Sequence, residues 1–79
     1  MATTEAPPNG VMQIGEVAGM VYHTLIEEKR ISTARLSRTV DAPRDLVMQA
    51  IGWLAREDKV VIEPTSRGKI ISLVPIEVE

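Results

Sequence analysis

The sequence predicts a small α+β domain of three helices and one antiparallel β-hairpin. Three observations carry that expectation. Two apolar stripes of helical period, Ile14 to Ile26 and Leu46 to Leu54, are each long enough for a core-facing helix. Between them, residues 31–43 read as a short helix followed by a tight turn. After them, two β-rich runs flank Thr65-Ser66-Arg67-Gly68, a loop of hairpin composition.

The first helix is expected over Gln13–Glu28, with Ile14, Val17, Ala18, Val21, Leu25 and Ile26 as its apolar stripe. Gly15 and Gly19 interrupt it, and each costs up to about 1 kcal/mol against alanine in a helix interior. Four residues apart, they share a face and allow another backbone to approach. That approach is either packing within the chain, or glycines tolerated near a frayed start, or a contact between subunits flanked by Met20, Tyr22 and His23.

Ile31, alone between Arg30 and Ser32, is expected to form a strand of one or two residues. Ser32 is the expected N-cap of a second helix running to about Thr39, its hydroxyl accepting from the first turn. Leu36 and Val40 give that helix a modest apolar stripe. Val40-Asp41-Ala42-Pro43 is the turn, with Asp41 or Ala42 as cap and Pro43 at the first position of a third helix that extends to about Glu57. Leu46, Val47, Ala50, Ile51 and Leu54 form its buried stripe. Val60-Val61-Ile62-Glu63 is the first hairpin strand, ended by Pro64, and Lys69 to Val74 is the second. Gly68 supplies the positive φ of the loop. The order helix, brief strand, helix, turn, helix, strand, loop, strand is that of a winged helix-turn-helix, with the hairpin as the wing. Residues 12–75 form this domain, 1–11 an expected disordered tail rich in proline, threonine and alanine, and 76–79 a short acidic tail.

Composition narrows the function classes. A chain of 79 residues is one domain with a limited core, which oligomerisation would help to stabilise. It has no cysteine, which excludes disulfides and thiolate metal sites and suits a cytoplasmic location. No run approaches the ~18 apolar residues of a membrane helix, and the N-terminus lacks the pattern of a secretory signal. His23 is the single histidine and has no partner at metal-ligand spacing, nor an acid and nucleophile to work with. No cofactor, small-molecule ligand or catalytic group is indicated, so an enzyme is not expected.

Net charge is −2, but its distribution is uneven. All nine basic residues lie between Lys29 and Lys69 among five acidic ones, so that segment carries +4 and the remainder −6. Such a segment can present a positive face to nucleic acid, or be an ordinary solvated surface.

Two stretches carry a resemblance to a known family. QAIGWLAREDKVVIE, at the junction of the third helix and the first wing strand, resembles the signature of small stand-alone bacterial winged helix-turn-helix proteins, and IGEVAGMVYHTL resembles their first helix. The match runs from about Met12 to Val74. The family's biochemical role is unassigned; the resemblance implies the fold, a cytoplasmic setting and self-association.

In a DNA-binding winged helix, the start of the third helix enters the major groove while other groups hold phosphates. Here its outward positions are expected to be Arg44, Asp45, Met48, Gln49 and Arg56. Arg44 suits guanine and Gln49 suits adenine. Arg35, Arg38, Arg67 and Lys69 are the expected phosphate contacts, making double-stranded DNA the candidate partner. Asp45, Glu57 and Asp58 oppose that reading, and Met48 and Gly52 bring little polar chemistry to the reading face. Trp53 is expected either at the core edge, covering the first helix or the wing, or as an anchor in an interface. With Gly15, Gly19, Tyr22 and Gly52 it forms the alternative site, a surface for homodimerisation or another protein partner.

Overall fold

The computed structural model describes residues 10–75, so the terminal segments 1–9 and 76–79 lie outside the described residues. Its elements are α1 (Gly10–Glu28), β1 (Arg30–Ser32), α2 (Thr33–Thr39), α3 (Arg44–Arg56), β2 (Val60–Thr65) and β3 (Gly68–Leu73). Three helices thus pack with a three-stranded antiparallel sheet of order β1-β3-β2. This is the expected winged helix-turn-helix.

The first helix starts three residues before Gln13, so Gly10 and Val11 are helical rather than part of a tail. Val17, Ala18, Val21 and Leu25 are buried, but Ile26 is 47% exposed. Successive helical positions turn by about 100°, which carries Ile26 off the stripe that holds Leu25. The helix ends at Lys29, whose φ of 72° is in the left-handed region while its N–H donates to the Leu25 carbonyl at 2.9 Å. A lysine pays there for a conformation that glycine adopts freely. Lys29→Gly is therefore expected to stabilise the domain by about 1 kcal/mol, read as a higher urea midpoint with unchanged slope.

Ser32 caps α2 as its hydroxyl composition suggests, accepting from the Arg35 N–H at 3.1 Å. Ser32→Ala removes that acceptor and is expected to cost about 1 kcal/mol, measured in the same denaturation series. Arg30–Ser32 pairs antiparallel with β3, placing Ile31 opposite Ile71 with both side chains buried. The expected brief strand is thus three residues long, and it ties the start of the helix-turn-helix to the wing.

Between α2 and α3, Pro43 departs from expectation. It stands just outside α3 as the capping residue, with φ −58° and ψ 145°, and neither Asp41 nor Ala42 caps. Its carbonyl accepts from Val47 N–H at 3.0 Å. Asp45 supplies the side-chain acceptor in the first turn, taking the Leu46 N–H at 3.0 Å. A carboxylate at this end is favoured by the helix dipole, so this acid has a local structural role.

β2 extends through Pro64 to Thr65, two residues beyond the expected stop. Because β2 is an edge strand, the missing N–H of Pro64 interrupts no inner ladder. Thr65 pairs with Gly68 around a two-residue turn of Ser66 and Arg67. Gly68 has φ 147°, and Thr65 Oγ1 donates to its carbonyl while accepting from Arg67 N–H. The wing tip is therefore held in one shape that projects Arg67.

Thirteen buried apolar residues make one core beneath the sheet, drawn from every element: Val17, Ala18, Val21 and Leu25 of α1, Ile31 of β1, Leu36 and Val40 at α2, Val47, Ala50, Ile51 and Leu54 of α3, Val60 of β2 and Ile71 of β3. No polar side chain is buried among the described residues. Binding chemistry must therefore be sought on the surface.

Candidate nucleic-acid interface

The expected DNA-contacting residues all lie at exposed positions of the two helices of the helix-turn-helix and of the wing. Arg35 and Arg38 are on α2, Arg44 opens α3 with Gln49 five residues on, Arg67 is in the wing turn and Lys69 follows on β3. Arg38, Arg44, Arg67 and Lys69 form no ion pair with another described residue. Arg35 does: its Nη2 lies 3.8 Å from Glu28 Oε1 at the end of α1. An exposed pair at that distance is weak, but it places an acid beside one expected phosphate contact.

The wing tip and the start of α2 enclose an open groove of about 450 Å³. Ser32, Thr33 and Ala34 line one side and residues 65–70, including Arg67 and Lys69, the other. The fold thus brings Arg67 and Lys69 beside the helix that carries Arg35 and Arg38. Thr33 and Thr65 join them there, which the sequence did not signal, because their proximity depends on β1 pairing with β3.

On α3, Met48 is half-buried against the core, so it is not one of the outward reading positions. Asp45, Gln49, Gly52 and Arg56 are all exposed, and their spacing of four, three and four residues aligns them along one face. Gly52 therefore sits between Gln49 and Arg56. A Cβ built there meets nothing within 4 Å.

A second cluster is separate. Gly15, Gly19, Tyr22 and Trp53 gather with Ala18, Leu54, Glu57 and Lys59 around a shallow groove of about 250 Å³. Gly52 does not line it. Trp53 is 37% exposed, at the rim rather than in the core. Lys59 Nζ lies 5.9 Å from the Tyr22 ring centroid, a cation–π distance. His23 is exposed, and among the described residues no three His, Cys, Asp or Glu side chains are placed to hold a metal ion.

With this geometry in place, comparison with known proteins identifies the domain. Residues 10–73 match the model of the family described as winged helix-turn-helix domain (DUF2582). The chain belongs to this family. An uncharacterized protein, MJ1608 of Methanocaldococcus jannaschii, is 40% identical over 63 residues, covering 77% of this chain and 90% of that protein. The solution structure of BT2368 from Bacteroides thetaiotaomicron superposes with a TM-score of 0.69 at 36% identity, over 84% of this chain and 89% of that one. TubR from Bacillus thuringiensis serovar israelensis pBtoxis, in a structure bound to 24 bp of tubC, has a TM-score of 0.65 at 13% identity, over 89% and 85% of the two chains. At that identity the likeness is one of fold. No helix of this DUF2582 domain is long and apolar enough, among the described residues, to cross a membrane.

Proposed function

We propose that this DUF2582 protein is a double-stranded DNA-binding, transcription-associated module acting in the cytoplasm. The observation that carries the reading is the set of exposed cations, without ion-pair partners among the described residues, on α2, α3 and the wing: Arg38, Arg44, Arg67 and Lys69. They lie in the segment of net charge +4, around the elements that a winged helix presents to a duplex. In this reading Arg44 and Gln49 enter the major groove, and Arg35, Arg38, Arg67 and Lys69 hold phosphates. Arg35 exchanges Glu28 for a phosphate on binding.

Fluorescence anisotropy of a labelled duplex, titrated across a salt series, tests the proposal. Each phosphate neutralised contributes about 0.9 to the slope of log affinity against log salt, so a slope of roughly −3 to −4 is expected from four phosphate contacts. Absence of binding at low salt would remove the reading. The exposed Trp53 groove would then favour a protein-interaction module that keeps the fold without a DNA face.

A further inference from the structure

We infer that Gly52 is the point where α3 and one sugar–phosphate strand of the duplex come closest, and that Arg56, one turn on, holds that strand by a phosphate. The inference deepens the DNA reading above and rests on it. Residue type alone groups Gly52 with Trp53, but Gly52 does not line the Trp53 groove. It is exposed on another side of α3, between Gln49 and Arg56.

An interior glycine weakens a helix, because it has more backbone freedom to lose than any other residue. Nothing within the chain calls for one here. Gly68 is the glycine with a positive φ among the described residues, so the backbone at Gly52 is open to any side chain. A Cβ built on Gly52 meets nothing within 4 Å, so packing does not require its absence either. What a side chain at this position would obstruct is a body arriving from solvent.

The neighbours of Gly52 indicate which body. Asp45, Gln49, Gly52 and Arg56 fall within an arc of roughly 60° at 100° per residue. Arg56 has no ion-pair partner among the described residues. The adjacent acid, Glu57, lies 3.7 Å from Lys59 and lines the Trp53 groove instead. Asp45 stands about 10 Å back along the helix from Gly52, and its Oδ1 takes the Leu46 N–H. The row therefore ends in a bare backbone and a free guanidinium. That pairing suits an anionic strand better than an apolar partner.

Length points to the same strand. α3 has 13 residues and is about 20 Å long, whereas the major groove is about 12 Å wide. A helix that enters by its first turn, with Arg44 and Gln49 at base edges, crosses the rim of the groove with its second half. That rim is the sugar–phosphate backbone. Gly52 lets the strand lie against the helix, and Arg56 donates to its phosphate.

Fluorescence anisotropy with a labelled random-sequence duplex, beside urea denaturation of the same variants, reads the result. Gly52→Gln adds an uncharged side chain of good helix propensity. It is expected to raise the urea midpoint and yet lower affinity at low salt at least ~10-fold. Arg56 as a further phosphate contact steepens the salt slope by about 0.9, and Arg56→Ala is expected to remove that increment while weakening all sequences alike. Met20→Gln, at an exposed position of α1, is expected to leave affinity unchanged. A wild-type chain that binds no duplex would remove the DNA reading and this inference with it. Three results would overturn the inference alone: wild-type binding that Gly52→Gln leaves intact, a salt slope that Arg56→Ala does not alter, or a urea midpoint that falls in Gly52→Gln.

Discussion

Leu36→Ala is expected to cost about 3 kcal/mol of stability, the largest effect foreseen for a single substitution. Leu36 is fully buried and is the one buried residue of α2. A helix of seven residues has no independent stability, so its position depends on that side chain and on the Ser32 cap. Truncation leaves a cavity bounded by α1, α3 and the sheet that a small core cannot easily collapse to fill. In a domain of this size the loss corresponds to a fall in Tm on the order of 10–20 °C. Met12→Ala, at a 72% exposed position, is the matched control and is expected to change Tm little. Calorimetry on the two variants checks the contrast; equal effects would mean that Leu36 does not anchor α2.

The second large effect concerns DNA. Arg44→Ala combined with Arg67→Ala is expected to lower affinity for duplex roughly 10- to 100-fold at low salt. The two residues act differently. In the proposed reading Arg44, at the first position of α3, reads a base edge, whereas Arg67, in the wing turn, meets a phosphate. Losing Arg67 alone should therefore make the salt slope shallower by about one unit and weaken all sequences alike. Losing Arg44 should weaken some sequences more than others. Lys59→Ala, at the Tyr22 groove, is expected to leave DNA affinity unchanged. Anisotropy titrations of the single and double variants separate these outcomes.

Most of the fold was legible because its determinants are local. The Ser32 cap, the stripe Leu46 to Leu54, and the positive φ of Gly68 follow from residue chemistry within a few positions. Departures occurred where tertiary contacts decide. Pro43 reads as a first helical residue until Asp45 is seen to satisfy the Leu46 N–H, which lets Pro43 remain outside the helix. Pro64 reads as a strand terminator, but an edge position tolerates its missing donor and the strand continues. Ile26 and Met48 exchange their expected environments, because an apolar residue at the border of a stripe is buried only if a neighbouring element covers it.

The candidate surfaces were legible in part. The basic segment announces itself in the sequence, and the exposed positions of Arg38, Arg44, Arg67 and Lys69 agree with it. The Glu28–Arg35 pair does not announce itself, since it requires the end of α1 to pass beside α2. The gathering of Gly15, Gly19, Tyr22 and Trp53 around one groove could be anticipated from residue type. Their neighbour Lys59 could not, because it reaches Tyr22 only once α3 has packed on α1. Arg56 was recognisable as an outward position, and its alignment with Gln49 and Gly52 extends the exposed face of α3.

The most direct test of the DNA reading is a 15N NMR titration with a random-sequence duplex, first at low and then at physiological salt. The account predicts shifts at Arg35, Arg38, Arg44, Gln49, Arg67 and Lys69 that fade as salt rises, with the Tyr22 and Trp53 groove undisturbed. An unchanged spectrum at low salt, or shifts centred on Trp53 instead, would contradict it.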